Sequence, residues 1–272
     1  MKMQNRYALV PGASRQVGRA MARALAAEGM RLILPYYDWP EDCEEMIKEF
    51  GSQHLTIRVD LRQPDAVKTL VEKVSVFGGK LHVLVNNIER GGMPVVHGSY
   101  EREVNQDQWL LEQETTLRAK WLLFQNFLPL LRKSREAVVI NISSIAAISG
   151  RSGPAGLLFS DGYAAANRAI GSMTENWARI GAPTIRVNEI MLGLIDHRHG
   201  EGTRGWALLT EEEKIRLLDH TLLGRTGKPE EVAKTLLHMV RDCDYMTGTT
   251  IRLDGGYILG GEKTDLIPPG VI

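Results

Sequence analysis

Apolar runs of strand length alternate with amphipathic helical stretches along nearly the whole chain, and no other feature limits the possible folds as strongly. Strands without a polar face, separated by helices with one apolar stripe, bury all their apolar surface as a parallel sheet covered by helices on both sides. The strand-like runs are Tyr7-Pro11, Arg31-Tyr36, His54-Val59, Leu81-Asn86, Ala137-Ser143, Thr184-Ile190 and Thr249-Leu253. Helical windows lie between them, around Val17-Glu28, Glu41-Phe50, Pro64-Phe77, Gln106-Arg132, Ala164-Ile180 and Pro229-Arg241. Right-handed crossovers place a ligand cleft at the carboxyl ends of such strands. Three irregular stretches fall where that cleft would be lined: Glu89-Asn105, Ala147-Gly162 and Leu192-Trp206.

With 272 residues, 43% of them hydrophobic, the chain is long enough for one large α/β domain. Residues 1–260 read as that single domain, and 261–272 as a tail rich in Gly and Pro. The formal net charge is +0, which leaves no electrostatic footprint for nucleic acid or an anionic membrane and favours a small-molecule substrate. Cys43 and Cys243 stand far apart, without the spacing of a zinc site or a disulfide framework, so no metal is expected. The polar start and the absence of a bilayer-length apolar run predict a cytoplasmic protein.

The motifs come in a fixed order. Val10-Pro-Gly12-Ala-Ser14-Arg15-Gln16-Val17-Gly18 follows the first strand and opens a helix, where backbone N–H groups and the helix N-terminus can hold a pyrophosphate. Asp60-Leu61 follows the third strand, Asn86-Asn87 the fourth and Asn141-Ile-Ser143-Ser144 the fifth. Arg225-Thr-Gly227-Lys-Pro229, Thr247-Gly248 and Asp254-Gly255-Gly256 come later. Together these resemble the short-chain dehydrogenase/reductase family across residues 6 to 258. The resemblance implies a Rossmann-like, doubly wound sheet of seven mainly parallel strands, a nicotinamide dinucleotide in the cleft, and a homo-oligomer, dimer or tetramer. Carried over residue by residue, it assigns cofactor contacts to Gly12, Ser14, Arg15, Gln16, Val17, Gly18, Asp60, Leu61, Asn87 and Asn167.

The same resemblance places the proton relay at Thr116, Ser144, Tyr163 and Asn167, and here the chain departs from the family. Tyr163 is followed four residues later by Asn167, where Tyr-x-x-x-Lys is usual, and Thr116 stands where an asparagine is usual. An amide hydrogen-bonds but supplies no charge to favour the phenolate. No lysine occurs between Lys133 and Lys214, so no nearby cation is expected to repair the deficit. In the glycine turn, Pro11 and Gln16 replace threonine and glycine, although pteridine-reductase-like members also carry a larger polar residue at the latter position. The usual Ala-Gly after Asn87 is Ile88-Glu89, and Tyr163 lies 19 residues after Ser144, farther than usual.

After the second strand the residues Pro35-Tyr36-Tyr37-Asp38 satisfy neither the acidic rule for NAD nor the basic rule for NADP. Arg15, in the turn, tips the expectation to NADP, with NAD as the alternative. His97, Tyr100, His197, Arg198, His199 and Arg204 are secondary candidates for substrate contact. The leading reading is an atypical NAD(P)-dependent oxidoreductase moving hydride to or from a carbonyl, alcohol or activated double bond, with Tyr163 as proton donor and Ser144 orienting it. Alternatives are a dinucleotide-binding sensor or scaffold with a dead relay, and a cofactor-independent lyase resembling the halohydrin dehalogenases. Asn167 and the Gly12/Gly18 turn weigh against the lyase.

Overall fold

The structure is a computed structural model that describes residues 1–89, 103–196 and 204–261. The strands are β1 (Tyr7–Leu9), β2 (Arg31–Tyr36), β3 (Leu55–Arg58), β4 (Val83–Asn86), β5 (Ala137–Ser144), β6 (Ile185–Leu192) and β7 (Thr250–Leu253). They form one sheet in the order β3-β2-β1-β4-β5-β6-β7, and every pairing is parallel. The winding reverses between β1 and β4, the switch point at which ligands bind in open α/β sheets.

The helices are α1 (Gln16–Ala27), α2 (Pro40–Phe50), α3 (Pro64–Gly78), α4 (Glu103–Glu112), α5 (Ala119–Ser134), α6 (Ala146–Ser149), α7 (Asp161–Gly181), α8 (Arg204–Ala207), α9 (Glu211–His220) and α10 (Pro229–Arg241). β5 shows why the sheet needs cover on both faces, since all eight of its residues are buried. Val138, Ile140 and Ile142 join Met21 of α1 and Leu236 of α10 in one core. Ala137 and Val139 face the other way, onto Leu70 of α3, Phe127 of α5 and Trp177 of α7. Burying each such side chain contributes about 1.5–3 kcal/mol. A third cluster, with Phe159, Tyr163, Leu217 and Tyr257, sits beyond the carboxyl ends of β5 and β6.

Three expectations need correction. The stretch Ala147-Gly162 is not irregular throughout: it holds most of α6, a 3₁₀ turn at Pro154–Leu157 and the start of α7. Ser160 caps α7 by accepting from the Tyr163 N–H, and Asp161 suits a helix's first turn. The long helix expected over Gln106-Arg132 is interrupted by a π-helical segment, Gln113–Arg118. α9 was not expected because it buries little beyond Leu217 and is held instead by a Thr210/Glu213 capping box. Among the described residues no helix is long and apolar enough to cross a membrane.

Candidate functional site

The turn between β1 and α1 is closed against the end of β4. Asn87 donates its side-chain amide to the Pro11 carbonyl at 3.4 Å. Gly12 takes φ +70, and a Cβ there would stand within 3.0 Å of the Asn87 carbonyl oxygen. A Cβ on Gly18 would meet the Asn87 amide nitrogen at 2.7 Å. Both glycines are therefore demanded by close approach of backbone. Gln16 adopts φ +25, a strained value for a residue with a side chain, and that side chain is exposed rather than folded into the turn. The first turn of α1 carries no side-chain cap and no acidic residue, which leaves its N–H groups and positive dipole end for an anion. Val17 and Leu61 pack into opposite cores, so only their backbones remain for a cofactor.

Around the end of β2, Arg15 lies 4.2 Å over the Trp39 ring and 3.4 Å from the Asp42 carboxylate. Ser14 is buried, and its carbonyl accepts from Arg19, which also reaches the Asp42 carbonyl and so ties the turn to α2. Asp60 is engaged by Arg62 through two side-chain bonds of 2.9 and 2.8 Å, which hold its carboxyl below the usual carboxylate range. Arg62 also stands 5.6 Å from the Tyr37 ring.

Asn86 and Asn141, neighbours in the sheet register, have structural work. Asn86 donates to Asn141 at 2.8 Å, and Asn141 donates to Thr174 of α7 at 2.8 Å, fixing that helix over β4 and β5. Thr116 is buried within the π-helical segment, whose Gln113 donates to the Gly162 carbonyl at 2.9 Å. Ser160 accepts from the Tyr163 N–H at 3.1 Å and donates to the buried Glu112 carboxylate at 2.7 Å. α4, the π-helical segment and the cap together hold the first turn of α7, and with it Tyr163.

Tyr163 is 0% exposed. Its hydroxyl donates to Glu89 Oε2 at 2.9 Å, and its ring stacks on Phe159. Ser144 ends β5, and its hydroxyl oxygen accepts from the Ala146 N–H at 3.2 Å. Asn167 spends its amide N–H₂ on the Tyr163 carbonyl one turn back, at 2.9 Å. Its Oδ1 is buried without a hydrogen-bond partner among the described residues, and a ribose hydroxyl of a bound dinucleotide would satisfy it.

Two residues were missed from sequence. Glu89 entered only as a departure from Ala-Gly, yet it touches the tyrosine. Lys120, one turn after Thr116, is buried and donates its ammonium to the Ile142 carbonyl at 2.7 Å. That is two residues, or about 7 Å of strand, short of Ser144. A lone charge inside the apolar run Ala119-Lys-Trp-Leu-Leu-Phe124 was the available signal. His97, Tyr100, His197, Arg198 and His199 lie outside the described residues.

The site thus fits a dinucleotide on three counts: a cradle that only glycine can line, an uncapped helix N-terminus, and an orphaned amide oxygen one turn from Tyr163. A family model described as enoyl-(acyl carrier protein) reductase matches residues 12–258. The chain is 30% identical to a 3-oxoacyl-[acyl-carrier-protein] reductase of Thermotoga maritima over 268 residues, covering 95% of this chain and 100% of that one. It is 28% identical to the reductase of the same name from Staphylococcus aureus, covering 94% and 99%. A mutant of a Serratia marcescens short-chain dehydrogenase/reductase shares the fold, with a TM-score of 0.78 at 24% identity over 94% of this chain and 99% of that one. Sheet order, glycine cradle and sequence likeness agree: the chain belongs to the short-chain dehydrogenase/reductase family and is an oxidoreductase that works with a nicotinamide dinucleotide.

Proposed function

We propose that the chain moves hydride between NADP and the carbonyl or alcohol carbon of a small substrate, with Tyr163 exchanging the proton on the substrate oxygen and Ser144 orienting that oxygen. One observation carries this reading: the tripeptide Asn87-Ile88-Glu89 touches the glycine turn at one end and the Tyr163 hydroxyl at the other. Two residues of extended chain span about 7 Å. A dinucleotide held with its pyrophosphate on the turn would therefore lie beside the segment that meets Tyr163, with its nicotinamide supplying the hydride chemistry there.

The bound nicotinamide supplies or accepts the hydride. Gly12, Gly18 and the N–H groups of α1 would hold the pyrophosphate, and Asn167 Oδ1 a ribose hydroxyl. Arg15, kept at the end of β2 by the face of Trp39, would meet a 2′-phosphate and favours NADP over NAD. The named activities of the Thermotoga and Staphylococcus relatives make a 3-oxoacyl thioester the first substrate to try.

The test is consumption of NADPH with acetoacetyl-coenzyme A by wild type and Tyr163→Phe, beside NADPH binding followed by fluorescence. The expected result is equal binding by the two proteins and a loss of turnover of at least 100-fold in the variant, the scale of a general acid's contribution. Turnover that survives Tyr163→Phe overturns the proton-donor role. Firm binding with no turnover for any carbonyl or alcohol tried would favour a dinucleotide sensor.

A further inference from the structure

In most arrangements built on a Tyr-x-x-x-Lys pair, the tyrosine's ionisable neighbour stands on its own helix. Here α7 offers only Asn167, whose amide N–H₂ is used on the Tyr163 carbonyl and which carries no titrating proton. Among the described residues, an ionisable group that meets the phenol comes from a different element. Glu89, just beyond β4, accepts from the Tyr163 hydroxyl at 2.9 Å. Its position in the chain is one where a glycine is usual, so the carboxylate is an addition to the cleft and not a remnant.

Burial gives this contact a direction. Tyr163 is 0% exposed, whereas Glu89 is only partly buried, so the carboxylate links an enclosed phenol to the outside. Among the described residues, several other charged groups on the elements packed around α7 have partners of their own, while Asp107 of α4 is exposed. Glu112 of α4 is bonded by Ser160 and Gln108, and Glu189 of β6 by Ser143 and Thr250. Glu114 and Arg118 of the π-helical segment pair with each other at the surface, Asp161 of α7 pairs with Arg151, and Lys120 of α5 bonds the Ile142 carbonyl.

We infer that Glu89 is the proton-relay partner of Tyr163, standing in for the lysine that Asn167 replaces and handing the reaction's proton outward through its own partly exposed carboxyl group. This rests on Tyr163 being the proton donor. In alcohol oxidation the substrate O–H bond breaks and its proton joins the Tyr163 oxygen. The proton formerly on that oxygen forms an O–H bond with the Glu89 carboxylate, and the carbinol hydride passes to the oxidised nicotinamide. Carbonyl reduction is the reverse. Glu89, as the carboxylic acid, gives its proton to Tyr163 as Tyr163 gives its own to the substrate oxygen, and the hydride comes from the reduced nicotinamide. Oxidation thus needs Glu89 ionised and reduction needs it protonated.

The first test needs no turnover. Tyrosine ionisation is followed by ultraviolet absorbance in the cofactor-free protein, and the Tyr163 phenol is isolated as the difference between each protein and its Tyr163→Phe counterpart. Removing the adjacent negative charge by Glu89→Gln should let Tyr163 ionise at a pH lower by roughly one unit or more. Coincident curves for wild type and Glu89→Gln overturn the inference. The second test is the pH profile of NADPH-dependent reduction. Wild type and Glu89→Asp should lose rate tenfold per pH unit above a one-proton step that Glu89→Gln lacks. A step unchanged in Glu89→Gln, with turnover lost in Tyr163→Phe, overturns the relay alone. Turnover that survives Tyr163→Phe overturns the donor reading as well, even with the ionisation shift in place.

Discussion

Replacing Gly12 by alanine sets two separable costs against each other. The first is conformational: a residue with a Cβ at φ +70 loses about 1–2 kcal/mol relative to glycine. The second is steric, because the new Cβ would lie within 3.0 Å of the Asn87 carbonyl oxygen and 3.0 Å from the Asn87 amide nitrogen. Overpacking of that kind costs about 1–3 kcal/mol more. Gly79, the C-cap of α3, isolates the first cost. It has φ +68 and ψ −13, and its added Cβ would meet only the Ser75 carbonyl oxygen, at an ordinary 3.8 Å. Gly79→Ala should thus cost about 1–2 kcal/mol and Gly12→Ala about 2–5 kcal/mol. In a chain of this size these losses correspond to about 2–4 °C and 4–10 °C in Tm. NADPH affinity provides the second readout: it should be unchanged in Gly79→Ala and at least tenfold weaker in Gly12→Ala, where the turn must open to admit the methyl. Thermal unfolding with and without NADPH measures both. If Gly12→Ala is no less stable than Gly79→Ala and binds NADPH like wild type, the close approach of the turn to Asn87 is not what holds the pocket.

Two other outcomes are expected. Arg15→Ala should weaken NADP by about 1–3 kcal/mol while leaving NAD nearly unaffected, since only the 2′-phosphate pairs with the guanidinium; equal effects on the two cofactors in titrations would refute the assignment. His82, 4% exposed, accepts from the Tyr7 N–H at 3.1 Å through Nδ1, and burial pushes its imidazole down to about 4. A depressed folded-state value stabilises the neutral form, so the contribution is complete above about pH 6.5 and is lost as pH falls toward 4. It amounts to on the order of 3 kcal/mol at most. Urea unfolding of wild type and His82→Asn should show a flatter pH dependence in the variant across that window; parallel curves would exclude this source.

Much of the fold was legible because the signals were local. β2 matches its expected bounds, and so does α10, where Pro229 at the first position and glutamates in the first turn mark the start. The other strands shift by a residue or two because pairing, not composition, ends them: β6 runs on to Leu192 since β5 and β7 are there to bond it. The closing of the glycine turn on Asn87 was likewise readable, because Gly12, Gly18 and Asn87 lie at fixed places in an ordered motif. The contacts around Tyr163 and Ser144 were not. Glu89 and Tyr163 are 74 residues apart, and Lys120 and Ile142 are 22 apart on a helix and a strand, so neither contact leaves a periodic or adjacent trace. A search for a cation along α7 alone misses Lys120, which reaches the interior strand β5 from α5.

The brevity of Asn87-Ile88-Glu89 has a thermodynamic consequence. A segment that braces the glycine turn with one residue and meets the phenol with the next but one links the two ends over a short stretch of chain. Any coupling between the two ends is reciprocal: whatever free energy dinucleotide binding lends to proton uptake at Glu89, proton uptake returns to dinucleotide affinity. Oxidised and reduced cofactor, which want opposite protonation states of the carboxylate, would then be sorted by the ambient proton concentration before chemistry begins.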